Sequence, residues 1–149
     1  MDLIEQYNRL LTIAETLLKA YQDKVNDIET YKEGLRVIDL CKEWTTNQEI
    51  TADDIYGTID SEDGYDIVEF CGLEGISEGE SSMWILFTDM VCALCSLAYR
   101  MEHHKYVPQV IEGIIFEKIE DFVIFLNGNL KVHENVKECA NYFAENVCY

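Results

Sequence analysis

Cys92-x-x-Cys95 lies inside a long apolar run, and His103 and His104 follow eight and nine residues after the second thiol. Thiolates and imidazoles are the ligands of structural zinc, provided that four of them converge tetrahedrally. On one continuous helix rising about 1.5 Å per residue, those histidines stand at least ~12 Å along the axis from Cys95. The pair also lacks the flanking turn of a zinc knuckle and the strand–helix setting of a thioredoxin-like site. Buried thiols that pack as small hydrophobes are therefore the expected reading. His103-His104 is expected as a helix C-terminal pair, favourable there when protonated.

Carboxylates offer two further constellations. Asp60, Glu62, Asp63 and Gly64 have the composition of a calcium loop. The glycine, however, falls at the fifth position instead of the sixth, and the oxygen-ligand pattern fails beyond it. Glu117-x-x-Glu120, followed by Glu134 and Glu138, would set carboxylates on facing helices, the arrangement with which all-α nucleotide pyrophosphohydrolases hold magnesium. The E-x-x-D half of that pattern is missing, and almost no lysine or arginine is at hand to hold a polyphosphate. Solvated helix faces are the plainer reading, and a metal-dependent nucleotide hydrolase stays as an alternative. Walker A, G-x-S-x-G, H-E-x-x-H and dinucleotide fingerprints are all absent. No catalytic residue, cofactor or metal is expected.

The distribution of charge carries more information. The 149 residues hold 11 basic and 29 acidic side chains, a formal net charge of −18. From Glu43 to Tyr99 there is no lysine or arginine at all, while Glu43, Glu49, Asp53, Asp54, Asp60, Glu62, Asp63, Asp66, Glu69, Glu74, Glu78, Glu80 and Asp89 fall in that span. Nucleic acid and anionic membrane both require positive charge for their dominant attraction, so neither is an expected partner. A basic partner would be steered in, most strongly at low salt. Solubility alone is served by mixed charge, whereas a large single-sign field costs stability through self-repulsion. An acidic recognition surface is expected, formed by Asp53, Asp54, Tyr56, Asp60, Glu62, Asp63, Asp66 and Glu69, with Tyr65 a further aromatic anchor.

Those residues need elements to hold them. Leu3, Tyr7, Leu10, Leu11, Ala14, Leu17, Leu18 and Tyr21 recur at three- and four-residue steps and predict a helix over about 3–21, with Asp2 as its cap. Ile28, Tyr31, Leu35, Ile38, Cys41 and Trp44 predict a second helix that contains Gly34, antiparallel to the first. Thr51-Ala-Asp-Asp54 has capping-box spacing, with aspartate for the usual glutamate, and opens a short helix carrying Ile55, Tyr56 and Ile59. Asp60-Ser-Glu-Asp-Gly64 breaks the chain, and Tyr65 to Phe70 reads as a further helical turn or two.

A central helix over about 81–104 follows, with Ser81 or Ser82 as N-cap. Its only polar residues between Met83 and Tyr99 are Thr88, Asp89 and Ser96, and Asp89, Ser96 and Arg100 form one narrow stripe. An apolar run of ~17 residues with a carboxylate in the middle is short for a membrane span, so the centre of a bundle is expected. Phe116, Ile119, Phe122, Val123 and Leu126 continue helically to Asn127-Gly128. Residues 121–133 also read as a hairpin with Asn-Gly at its turn, but Glu117 to Asp121 shows no strand alternation. Val132, Val136, Cys139, Ala140, Phe143 and Val147 predict a final helix. The expected fold is all-α, a single domain over 1–149 with five to seven helices around the buried central one. Six cysteines in such a chain are expected as reduced thiols, and Met-Asp-Leu-Ile-Glu has neither the basic nor the apolar region of a signal peptide, so a cytoplasmic location is expected.

Three stretches carry a family resemblance. They are the helix ending at Trp44 with Asp53-Asp-Ile-Tyr after it, the long apolar helix from Trp84 to Ala98-Tyr99, and Lys105-Tyr-Val-Pro-Gln-Val-Ile-Glu112 with its P-Q-x-x-E. Over roughly residues 30–126 the chain resembles the sixth numbered immunity-protein family of bacterial polymorphic toxin systems. The resemblance implies an all-helical, cytoplasmic, non-enzymatic protein that binds and blocks a cognate toxin domain. Many such toxins are nucleases with basic clefts, which an acidic inhibitor can fill as a nucleic-acid mimic. A general acidic protein-interaction adaptor is the remaining alternative.

Overall fold

The computed structural model of the chain describes residues 3–25, 28–60, 67 and 78–102. Among the described residues the fold is all-helical: α1 (Leu3–Val25), α2 (Ile28–Trp44), α3 (Ala52–Ile59) and α4 (Glu78–Met101), with no strand. The further helices expected within 65–70 and 116–147, the hairpin alternative over 121–133, and the Asp2 cap lie outside the described residues.

The apolar stripe foreseen on α1 is buried from Tyr7 to Tyr21, and Ile13 joins it. The wider face follows from packing, since α1 lies against both α2 and α4. Tyr7 serves the α2 side: its ring meets that of Trp44 at 4.9 Å, and its hydroxyl donates to the Cys41 carbonyl at 2.6 Å. That carbonyl lies in the last turn of α2, where carbonyls have no partner within their own helix. Burial pushes the Tyr7 phenol well above its ordinary pKa, so it remains a donor. Tyr21 serves the α4 side, 5.4 Å from the Trp84 ring, which in turn packs 5.0 Å from Phe87. These pairs make α1 antiparallel to both neighbours.

On α2 the buried face is Thr30, Gly34, Val37, Ile38 and Cys41. Of the expected face, Ile38 and Cys41 are buried and Tyr31, Leu35 and Trp44 are partly buried against the core, but Ile28 is 56% exposed and the buried stripe is turned towards Thr30, Gly34 and Val37. Gly34 explains the rotation. A methyl group at that position would stand 2.5 Å from Leu18 Cδ1, so α1 approaches where α2 has no side chain.

The central helix is enclosed as expected, with every residue from Phe87 to Tyr99 buried. The stripe of Asp89 and Ser96 is buried too and reaches solvent only at Arg100. The helix starts at Glu78, ahead of the serines foreseen as caps. It ends at Met101. Among the described residues, no helix is long and apolar enough to cross a membrane.

Candidate functional site

The short helix α3 begins as its spacing predicts. Thr51 is extended and precedes the first turn, and its backbone N–H donates to Asp54 Oδ2 at 2.8 Å. The Thr51 hydroxyl donates to the same oxygen at 3.2 Å. Ala52, Ile55, Thr58 and Ile59 face inward. Asp53, Gly57 and Asp60 are exposed and Tyr56 is half-buried, so these four follow the i, i+3, i+4, i+7 spacing of one outer face. Asp54 is exposed beside them. Tyr56 donates its hydroxyl to Asp60 Oδ2 at 3.0 Å, which joins the aromatic ring and the carboxylate at the end of the helix.

A helix of eight residues is unstable alone, and its place in the fold must come from anchors. At its start, Glu102 from the end of α4 accepts the Ala52 N–H, with Oε2 at 2.8 Å and Oε1 at 3.2 Å. The same Oε2 accepts the indole N–H of Trp44, the last residue of α2, at 2.8 Å. Tyr99 donates to Asp53 Oδ1 at 2.5 Å, and the Cys95 thiol donates to the Ala52 carbonyl at 3.6 Å. Burial first, and then the bond to Asp53, hold the Tyr99 phenol protonated far above its ordinary range. Cys95, Tyr99 and Glu102 thus form a stripe of α4 that grips the N-terminus of α3.

The far end is pinned through Ile67, which is fully buried. Its N–H donates to the Thr58 carbonyl at 2.9 Å, and its carbonyl accepts the Trp84 indole N–H at 2.8 Å. The helix α3 therefore runs antiparallel to α4, held at both ends, with its acidic face outward.

The family model described as Immunity protein Imm6 matches residues 5–132. The chain belongs to that family. Membership implies an immunity protein of toxin systems, with a toxin protein as its partner. No curated protein and no solved structure matches the chain.

In this Imm6 chain, two of the three stretches that carried the resemblance meet in space, while the third, Lys105 to Glu112, lies outside the described residues. Trp44 bonds Glu102, and Asp53 bonds Tyr99, so the end of α2, the start of α3 and the end of α4 share one junction. The match is also longer than the resemblance, taking in most of α1. Of the residues proposed from sequence for partner binding, Asp53, Asp54, Tyr56 and Asp60 lie together on α3. Glu62, Asp63, Asp66 and Glu69 lie outside the described residues, as do Tyr65, the histidine pair and Glu117, Glu120, Glu134 and Glu138. Sequence reasoning missed Glu102. Its signal was helical position, since it falls three residues after Tyr99 and seven after Cys95, on the face that must meet α3.

Cys92 and Cys95 are buried in the core, as is Cys41. Burial pushes the Cys92 thiol up to about 12, with the Asp89 charge adding to the shift. Cys41 is also pushed up to about 12 by burial. These are packed thiols, far from the thiolate form that ligates metals or attacks disulfides. Among the described residues, no three His, Cys, Asp or Glu side chains are grouped to hold a metal ion.

Proposed function

We propose that this immunity protein neutralises a basic, nuclease-type toxin domain by occluding it, without catalysis, through an acidic surface that begins on α3. The supporting observation is the combination of charge and fixation on α3. Asp53, Asp54 and Asp60 are exposed around Tyr56, while the helix beneath them is bonded at both ends. A preorganised surface loses little side-chain and backbone freedom on docking. The contrast with the α1–α2 pair supports the same choice of face: there Lys42 pairs with Glu15 at 2.7 Å and Arg36 with Glu33, an ordinary mixed surface. Glu62, Asp63, Asp66 and Glu69 extend the acidic surface on sequence grounds. The protein acts in the cytoplasm as one all-helical domain.

The test replaces Asp53, Asp54, Asp60, Glu62 and Asp63 with the corresponding amides and measures association with the cognate toxin domain. An amide at residue 54 still has an oxygen to accept from Thr51, so α3 should fold. Association should slow by about tenfold or more at low salt, and its salt dependence should flatten. An unchanged rate with an unchanged salt slope would remove α3 and its extension from the interface.

A further inference from the structure

We propose that Glu102 is the positioning residue that sets the rotation of α3, and with it the direction in which the acidic face meets the toxin; this rests on the reading of α3 as the docking surface. One carboxylate joins three elements. Its Oε2 accepts both the Trp44 indole N–H and the Ala52 N–H at 2.8 Å, while Oε1 stands 3.2 Å from the same backbone nitrogen. Ala52 is fully buried, so its N–H, one of the donors a helix start leaves without an internal partner, must be met from outside the helix. The capping box does not do this, because Asp54 serves Thr51.

The bond is also directional. Adjacent residues on a helix are separated by about 100°, so a slip of α3 by one position would carry the Asp53–Asp60 face towards the core or the flank. Tyr99 and Cys95 bond neighbouring atoms of the same first turn, so one placement of that turn satisfies all three residues. Glu102 need not touch the partner. It acts through the backbone of Ala52.

The experiment compares Glu102→Ala with Glu102→Gln in the full chain. The amide oxygen of glutamine can occupy the Oε2 position and accept both bonds, whereas alanine accepts neither. Hydrogen exchange of the α3 amides should quicken about tenfold in Glu102→Ala, the factor expected for losing one buried hydrogen bond, with α1 amides unchanged. Glu102→Gln should restore protection. Association with the same toxin domain, measured well below the melting temperature, should slow roughly threefold or more in Glu102→Ala and recover in Glu102→Gln. A purely structural role would lower the melting temperature in Glu102→Ala but leave the association rate of the folded protein unchanged, and that result overturns the inference. Slow association after amide substitution on α3 combined with normal association in Glu102→Ala would retain the surface and reject the positioning role. Normal association in both would reject the surface, and the exchange measurement would still decide whether Glu102 holds α3. Should Glu102→Ala fail to fold, Glu102→Asp, whose carboxylate stands back by one methylene, takes its place; wild-type exchange and association in that variant would overturn the proposal.

Discussion

Two glycines in neighbouring helices should respond in opposite ways to one added methyl group. At Gly34 the new carbon meets the side chain of Leu18, which is itself fully buried. Overpacking of that kind costs about 1–3 kcal/mol, against a gain of about 1 kcal/mol in helix propensity. Gly34→Ala should therefore lose about 1 kcal/mol of stability. Gly57 is exposed and has nothing within 4 Å of the added position, so Gly57→Ala should gain about 0.5–1 kcal/mol. Denaturant midpoints of the two variants check both signs. The cysteines yield a dependence on pH. Cys41 and Cys92 have an ordinary value of 9.0 and are pushed up to about 12 in the fold. Below pH 9 both states hold the protons and nothing is lost. Between about 9 and 12 the unfolded chain releases protons that the folded chain retains, so stability falls as pH rises through that window. Thermal melts from pH 8 to 11 should show the loss, and it should lessen in Cys92→Ala relative to that variant's own value at pH 8. The burial of these thiols was legible in their apolar spacing, whereas the close approach at Gly34 was not, because a sequence shows a missing side chain but not the neighbour that uses the space.

At the scale of elements, local signals did well and non-local ones did not. Thr51 and Asp54 lie within one turn of each other, and their capping arrangement could be read from spacing alone. The start of α2, its end at Trp44 and the break after Ile59 were likewise set by local chemistry. What fixes α3 in place connects residues far apart in the chain: Glu102 with Ala52, Tyr99 with Asp53, and Trp84 with Ile67. No periodicity encodes such pairs. The acidic character of α3 was plain from composition, but its fixation, which turns a charged segment into a defined face, emerged only from tertiary hydrogen bonds.

For the whole molecule, the proposed docking on a basic toxin means that a formal charge of −18 acts on folding and on binding with opposite responses to salt. Self-repulsion opposes the compact state, and screening weakens it within a Debye length of about 8 Å at physiological ionic strength. Raising salt from low to physiological values should therefore raise the melting temperature while slowing association with a basic toxin. Melts and stopped-flow association over one salt series test both, and a melting temperature that falls over that range would contradict the repulsion argument. The buried central helix was legible because a run apolar on nearly every side must be enclosed. The rotation of α2 was not, since Ile28 looks like a core residue until α1 is placed beside Gly34.

The chain has two tryptophans, and the hydrogen bonds assign one to each end of α3: Trp44 through Glu102, and Trp84 through Ile67. Indole emission is sensitive to the group that its N–H bonds. The protein thus carries a built-in optical gauge at each anchorage of its acidic helix. Trp44 reports on a carboxylate and Trp84 on a peptide carbonyl, so ultraviolet fluorescence can distinguish loosening at one end from loosening at the other without any attached label.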